Sequence, residues 1–276
     1  MKYVFFTGAT GGLGEACVEA LSRTGRWTIF AAGTNEVALD RLGELPNVIP
    51  VRVDITEQAS VEAALAAVKA RTETLDAVVN FAGLASFTSL VEGDSLGAIE
   101  RLLAVNLVGT ARVNRTFFEM IHKGHGRIVN CSSESGWLTP TPFAGPYVLS
   151  KYAVEAYSDS LRRELMFLGI SVIKIQPGSF ETPVRQKMND LFQKSLAETQ
   201  YYRKLLLRLK PLMVMELGQR NDVRRLADAL LKALESNRPR LQYRVGTGRL
   251  LALLELFPER WVDKIYMLVG GGLQES

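Results

Sequence analysis

Apolar residues are gathered into short runs at Tyr3 to Thr7, Trp27 to Ala31, Val48 to Val53, Ala77 to Asn80, Arg127 to Cys131 and Ile170 to Gln176. Most positions in these runs are Val, Ile or Phe, and their length suits strands buried on both faces. Between them stand longer segments in which apolar residues return every three to four positions, such as Val61, Leu65 and Val68, or Val154, Tyr157, Leu161 and Leu165. That period belongs to helices with one buried face. Strand and helix alternate, and parallel strands need crossover connections, nearly all right-handed. The pattern predicts an α/β fold, a doubly wound and mainly parallel sheet with helices on both faces.

No internal repeat, low-complexity tract or Pro/Gly/Ser linker divides the 276 residues, so residues 1–276 are expected to form a single domain. After Pro183 the pattern changes. The stretch up to Leu217 is long, basic and rich in Leu and Met, and it precedes a helix expected near Asn221. A helical insertion over about 183–217, lying across the sheet edge, is positioned to act as a substrate lid.

Composition narrows the classes. Nearly half the chain is apolar, enough for a substantial core, and the net charge of +4 is spread along the sequence. The densest basic stretch, Arg203 to Lys210, is interleaved with leucines, so no nucleic-acid partner is expected. Cys17 and Cys131 are the only cysteines. They supply neither a disulfide framework nor a cysteine-based metal site, and a reducing, cytoplasmic location is expected. His122 and His125 lack accompanying carboxylates or thiols and read as solvated, so no metal is expected. No secretory signal is visible before the first strand. No window approaches the roughly 20 apolar residues that span a bilayer, because Glu255, Glu259, Arg260, Asp263 and Lys264 interrupt the greasy C-terminal end, and no transmembrane segment is expected.

The chemistry starts at Thr7-Gly8-Ala9-Thr10-Gly11-Gly12-Leu13-Gly14, which follows the first strand and opens a helix. At such a turn glycines permit a tight bend and close approach to a pyrophosphate, and helix N–H groups face the anion. The spacing Thr-Gly-x-x-x-Gly-x-Gly differs from the ordinary dinucleotide fingerprint. Further along, Tyr147 and Lys151 stand four apart at the start of a predicted helix and share a face. A free phenol is a poor base at neutral pH, and a neighbouring cation favours its ionised form, giving a group that exchanges an alcohol proton. Ser132 and Ser133 end the run Arg127 to Cys131, at the carboxyl edge of the sheet where open α/β folds bind ligands. A hydroxyl there can reach a carbonyl oxygen. Taken singly, each feature has a simpler reading as a Gly-rich turn, a surface helix pair or a cap.

Together these features resemble the short-chain dehydrogenase/reductase family. The motifs match in order up to Thr182: the glycine loop, Asp54-Ile55, Asn80-Phe81-Ala82-Gly83, Asn106, Ser133, Tyr147 with Lys151, and Pro177-Gly178 before Thr182. The resemblance implies a Rossmann-type fold with a nicotinamide dinucleotide. It makes Tyr147 the general acid/base and Ser133 the group that orients the reacting oxygen. Lys151 would favour the phenolate and grip the nicotinamide ribose, and Asn106 would hold a water that extends the relay. Gly8, Thr10, Gly11, Gly12, Leu13 and Gly14 would surround the pyrophosphate, and Gly33, Thr34 and Asn35 the adenosine ribose. Asp54 and Ile55 would lie at the adenine, Asn80, Ala82 and Gly83 at the middle of the cofactor, and Pro177, Gly178 and Thr182 at the carboxamide end. One departure is visible, Phe81 standing where the family usually has a second Asn. Simpler readings remain for Asn80 and Asn106 as turn caps, for Asp54 as a helix cap and for Pro177-Gly178 as an ordinary turn.

After the second strand an acidic residue would bond a ribose 2′-hydroxyl and a basic one a 2′-phosphate. Gly33, Thr34 and Asn35 provide neither, and the glycine loop lacks Lys and Arg, so NAD is expected over NADP. The run Phe30-Ala31-Ala32-Gly33-Thr34-Asn35 and the segment Tyr152 to Leu165 are similar to the retinol, 17β-hydroxysteroid and 3-hydroxybutyrate dehydrogenase branch. Leu205, Leu206, Leu207, Leu209, Leu212, Met213, Val214 and Met215 give the insertion a surface suited to a large apolar molecule, or simply pack it onto the sheet. Leu250 to Phe257 and Trp261 to Val269 form an amphipathic end with aromatic anchors, for which ordinary packing is the expectation, ahead of closing the pocket, packing a dimer or touching a membrane surface.

Three functions are compatible with the sequence. The first is a dehydrogenase or reductase of a bulky apolar alcohol or ketone, such as a steroid or retinoid-like one. The others are a 3-oxoacyl or small-ketone reductase and a non-catalytic dinucleotide-sensing regulator, the last opposed by Tyr147. The family resemblance also implies a homodimer or homotetramer built on the helices that contain Asn106 and Tyr147.

Overall fold

The computed structural model describes residues 1–180, 184–217 and 221–272. Its first half runs β1 (Lys2–Thr7), α1 (Gly12–Arg23), β2 (Trp27–Gly33), α2 (Glu36–Gly43), β3 (Val48–Arg52), α3 (Gln58–Lys69), β4 (Ala77–Asn80), α4 (Ser95–Leu102), α5 (Thr110–Thr116) and α6 (Phe118–Lys123). The second half runs β5 (Arg127–Cys131), α7 (Gly145–Leu165), β6 (Ser171–Pro177), α8 (Val184–Glu198), α9 (Arg203–Leu217), α10 (Arg224–Glu235), β7 (Gln242–Val245), α11 (Arg249–Leu254) and α12 (Glu259–Gly270). The strands form one seven-stranded sheet in the order β3-β2-β1-β4-β5-β6-β7, and every pairing is parallel. The order reverses between β1 and β4, and the crevice at such a switch point is where Rossmann-type folds bind ligands.

Alternate residues of each strand feed two cores. Val4, Phe6, Ile29, Val79, Val129 and Ile173 pack with Val18 and Leu21 of α1 and with Leu226, Leu230 and Leu234 of α10. Phe5, Phe30, Val78, Ile128 and Val172 pack on the other face with Val61 and Val68 of α3, Val113 of α5 and Leu165 of α7. Burial on both faces is why the strands read as continuous apolar runs.

All six expected strands form, two of them (β4 and β5) with the expected ends and the other four with ends shifted by one or two residues. The seventh, β7, has no apolar run to announce it. It lies at the sheet edge beside β6 alone, so its outward positions stay polar and Arg244 is exposed. The helix expected near Asn221 starts at Arg224, after the Asp222 carboxylate takes the Arg224 N–H at 2.9 Å. The insertion at about 183–217 is two helices, α8 and α9, with α9 packed on α12.

Candidate active site

At the carboxyl ends of β1 and β4 a groove of about 580 Å³ is walled by Gly8, Thr10, Gly11, Gly33, Thr34, Asp54, Ile55, Phe81, Ala82, Gly83 and Arg101, among others. The turn after β1 lies tight against the turn after β4. Gly8 has φ +71°, and a Cβ there would come 2.3 Å from the Ala82 nitrogen, so only glycine fits. Gly14 serves packing, since a Cβ on it would lie 2.1 Å from the Gly8 carbonyl oxygen. The α1 N-terminus follows Gly11 and has no side-chain cap. Its first N–H groups, from Gly12, Leu13 and Gly14, are therefore free to meet an anion. An uncapped helix end beside a groove of this size fits a dinucleotide.

The remaining cofactor positions divide. Asn35 caps α2, its side chain accepting the Ala38 N–H at 3.2 Å, while its neighbour Thr34 faces the groove. Asp54 Oδ1 accepts from both the N–H and the hydroxyl of Thr56, at 2.9 and 2.7 Å. These bonds hold its carboxyl below the usual range. Pro177 ends β6, and Gly178 continues the pairing by donating its N–H to Val245 at 2.8 Å. Thr182 lies outside the described residues.

Asn80 sits one layer beneath the groove. The strand register sets Thr7 beside Asn80 and Asn80 beside Asn130, so three polar residues align across neighbouring strands. Asn80 Nδ2 donates to Asn114 Oδ1 at 2.7 Å and to Asn130 Oδ1 at 3.0 Å. Asn130 Nδ2 donates to Ser158 at 3.0 Å, and Asn114 to the Tyr157 hydroxyl at 3.2 Å. This closed network fixes the strand ends to α5 and α7. Phe81, in place of a second Asn, packs on Phe6 with ring centroids 5.2 Å apart.

Lys151 and Asn106 converge on Gly83, where a Cβ would lie 3.2 Å from Asn106 Oδ1 and 3.6 Å from Lys151 Nζ. Lys151 is only 5% exposed, and its Nζ donates to the Cys131 carbonyl at 3.0 Å. Among the described residues no carboxylate pairs with it. A buried cation held by one carbonyl is expensive and keeps two N–H donors for a ligand. The same Nζ lies 5.8 Å from the centroid of the Tyr147 ring. Tyr147 is half-buried in the first turns of α7.

Ser133 follows β5 in extended geometry and is 6% exposed. Its Oγ accepts the Ser135 N–H at 3.1 Å, which leaves the hydroxyl proton to be donated. Ser132, next to it, has a buried Oγ without a partner among the described residues. Burial pushes the Cys131 thiol up to about 11, so it stays protonated.

Asn106 lies in a π-helical stretch, Leu103–Gly109, that joins α4 to α5. Such wide turns recur at functional sites. Its Nδ2 donates to the Leu84 carbonyl at 2.9 Å and to Ser150 Oγ at 2.8 Å, and its Oδ1 accepts the Leu84 N–H at 2.7 Å. Ser150 in turn donates to the Tyr147 carbonyl at 2.7 Å. The Asn106 side chain is thereby committed to protein partners, and Ser150 ties it to the turn that carries Tyr147. Ser150 and Glu134 are site residues that sequence reasoning missed. Glu134 is buried beside Ser133, accepts the Gly248 N–H at 2.9 Å, and has its carboxyl raised by burial.

Phe87, Phe143, Phe192 and Tyr202 form a chain of rings with centroids 5.3 to 5.7 Å apart, linking the segment after β4, the loop before α7, and α8 with its following turn. Beyond it lies an apolar cavity of about 740 Å³ between Thr139–Pro142, α9 and α12. Tyr147, Ser133 and Lys151 are not in its wall. Of the apolar lid residues, Leu205 and Leu209 line it, whereas Leu206 is fully buried and Leu207 and Val214 face outward. The side chains of Leu212, Met213 and Met215 lie outside the described set. The leucine-rich surface of α9 is therefore only partly turned inward, because a helix presents successive leucines to different sides.

Known proteins agree with this construction. The chain is 37% identical over 200 residues to retinol dehydrogenase 16 of Homo sapiens, an alignment covering 71% of this chain and 62% of that protein. It is 31% identical over 284 residues to short-chain dehydrogenase/reductase family 9C member 7 of Bos taurus, covering 96% of this chain and 88% of that protein. Its fold matches the crystal structure of a short-chain dehydrogenase from Streptomyces avermitilis with a TM-score of 0.74 at 24% identity, over 96% of this chain and 93% of that one. The family model described as short chain dehydrogenase matches residues 2–191, and the chain belongs to that family.

Proposed function

We propose that the protein moves a hydride between a nicotinamide dinucleotide and a bulky apolar secondary alcohol or ketone, of steroid or retinoid-like size. The observation that carries this reading is Lys151, a buried cation held by one carbonyl and placed beside the Tyr147 ring. The nicotinamide supplies or accepts the hydride. Tyr147 exchanges the proton of the substrate oxygen, Ser133 donates its hydroxyl hydrogen to that oxygen, and Lys151 favours the phenolate while its free N–H groups hold the ribose. Gly8, Thr10, Gly11 and the α1 N-terminus hold the pyrophosphate, with Asp54 and Ile55 at the adenine.

NAD is favoured over NADP. Gly33 and Thr34 bring no charge to the groove wall, and the nearby Arg41 and Arg52 are engaged by Glu15 and Glu36. A 2′-phosphate would have to draw one of these exposed arginines from its acid, whereas a ribose 2′-hydroxyl needs no cation. The apolar substrate is supported by the aromatic chain and by the retinol dehydrogenase name of a relative. The test is calorimetric titration with NADH and NADPH, followed by a screen of steroid, retinoid, acyl thioester and simple carbonyl substrates read at the absorbance of the reduced cofactor. Binding of NADH at micromolar concentration and turnover of the bulky alcohols is the expected result. Turnover confined to an acyl thioester contradicts the substrate class, and failure of both cofactors to bind below millimolar concentration contradicts the whole reading.

A further inference from the structure

The helix α12 is apolar on two opposite sides. Its inner side carries Val262 and Gly270, buried, and helps wall the apolar cavity against α9. Its outer side carries Trp261, Ile265 and Leu268, which are 60%, 38% and 82% exposed. Their spacing of four and three residues places them in one stripe. Leu256 and Phe257, just before the helix, are also exposed. Packing onto α9 requires one apolar stripe, and the second is left facing water.

Charge is sorted around that stripe. Arg260 and Lys264 run along one edge of it, while the acids Glu259 and Asp263 lie on the cavity side. The neighbouring α9 repeats the arrangement, with Leu207 and Val214 exposed one heptad apart and no acidic residue between Arg203 and Met215. Among the described residues none of Lys204, Lys210, Arg260 and Lys264 is in an ion pair. An aromatic and aliphatic stripe edged by unpaired Lys and Arg matches the boundary of an anionic bilayer, where rings and alkyl groups enter the acyl region and cations meet phosphate. It matches a second copy poorly, since stripe-to-stripe contact across a two-fold axis would set Arg260 and Lys264 against their own equivalents.

We infer that the outer face of α12, with Leu256, Phe257 and the exposed basic side of α9, docks the protein on an anionic lipid surface, α12 lying in the plane of the interface. No described helix is long and apolar enough to cross a membrane, so the contact is peripheral. It holds the apolar cavity, walled by the inner sides of the same helices, next to the lipid. The inference stands apart from the hydride-transfer reading, and its test does not read turnover.

The full chain is sedimented with vesicles of phosphatidylcholine containing about one-third phosphatidylserine, with pure phosphatidylcholine vesicles, and alone. Binding is expected to the anionic vesicles, to weaken with added salt, and to shift tryptophan emission to the blue in a way lost in Trp261→Phe. Replacing Arg260 and Lys264 together by Gln should lower the partition coefficient about 25-fold, at about fivefold per charge. Trp261→Asp with Leu268→Asp should abolish binding without lowering Tm. As a control, Arg238→Gln with Arg240→Gln, in a separate basic recess between α10 and β7, should bind like the parent. The proposal is overturned by a parent chain that stays in the supernatant with both vesicles. It is equally overturned if the Asp variant binds undiminished, if the control variant alone loses binding, or if the stripe instead closes a lipid-indifferent dimer that the Asp variant dissociates.

Discussion

The Asn106 side-chain amide donates to the Ser150 hydroxyl at 2.8 Å, and through it the π-helical turn between α4 and α5 is fastened to the first turns of α7. Ser150 is fully buried, so the bond has no water to compete with it. Ser150→Ala leaves the Asn106 Nδ2 with the Leu84 carbonyl alone. We expect kcat to fall about 10- to 100-fold through misplacement of Tyr147, with cofactor affinity unchanged because the groove is untouched. Single-turnover kinetics and calorimetry on the same variant check this split. A purely structural role would lower Tm and leave kcat intact.

Glu134 gives a prediction about pH. Burial raises its carboxyl in the folded protein above the ordinary 4.5, although the Gly248 N–H partly opposes this. A raised acid contributes stability below its unfolded value and loses it as pH rises through the folded value. At neutral pH the buried carboxylate is therefore a net cost. Glu134→Gln keeps an acceptor for Gly248 and should unfold at higher denaturant concentration than the parent at pH 7, the gain disappearing below about pH 4. Paired urea titrations at the two pH values measure it, and a variant less stable at pH 7 contradicts the assignment.

The turn between α8 and α9 is tied down by Glu92, whose carboxylate accepts the Thr199 hydroxyl at 2.8 Å and the N–H groups of Gln200 and Tyr201 at 2.7 and 3.0 Å. Glu92→Ala frees the turn between α8 and α9 that carries Tyr202. The Michaelis constant for a bulky substrate should rise at least about 10-fold, the lower end for loss of one charge-assisted hydrogen bond, while kcat and NADH affinity hold. Steady-state kinetics with saturating cofactor distinguishes this from a general loss of fold.

An assembly built on the helices around Asn106 and Tyr147 is expected from family resemblance, and Val108 and Leu149 are exposed on those elements. Sedimentation at micromolar concentration should find a dimer or tetramer. Val108→Glu with Leu149→Asp should shift it toward monomer, and a monomeric parent chain would dispose of the idea.

Much of this was legible in the sequence because parallel strands buried on both faces write continuous apolar runs, and because Tyr147 and Lys151 meet by helical spacing alone. β7 left no such trace, being an edge strand with one neighbour and alternating polarity. The network under the groove was hidden for another reason. Asn80, Asn114 and Asn130 are single polar residues within apolar surroundings, and only the register of β1, β4 and β5 aligns Thr7, Asn80 and Asn130. No local pattern marks Ser150 or Glu134, because their partners, Asn106 and Gly248, are far off in sequence. The inward and outward halves of the lid leucines depend on how α9 rotates against α12, which composition does not state.

In the proposed function Tyr147 exchanges the substrate proton while the groove and Lys151 hold the cofactor. Tyr147→Phe preserves ring volume and the contact with Lys151 and removes only the hydroxyl. Turnover of a bulky alcohol, followed by NADH absorbance, should fall by at least about 10²- to 10⁴-fold, while the calorimetric affinity for NADH stays within about a factor of 2 of the parent. A Tyr147→Phe protein that keeps near-parental turnover contradicts the account.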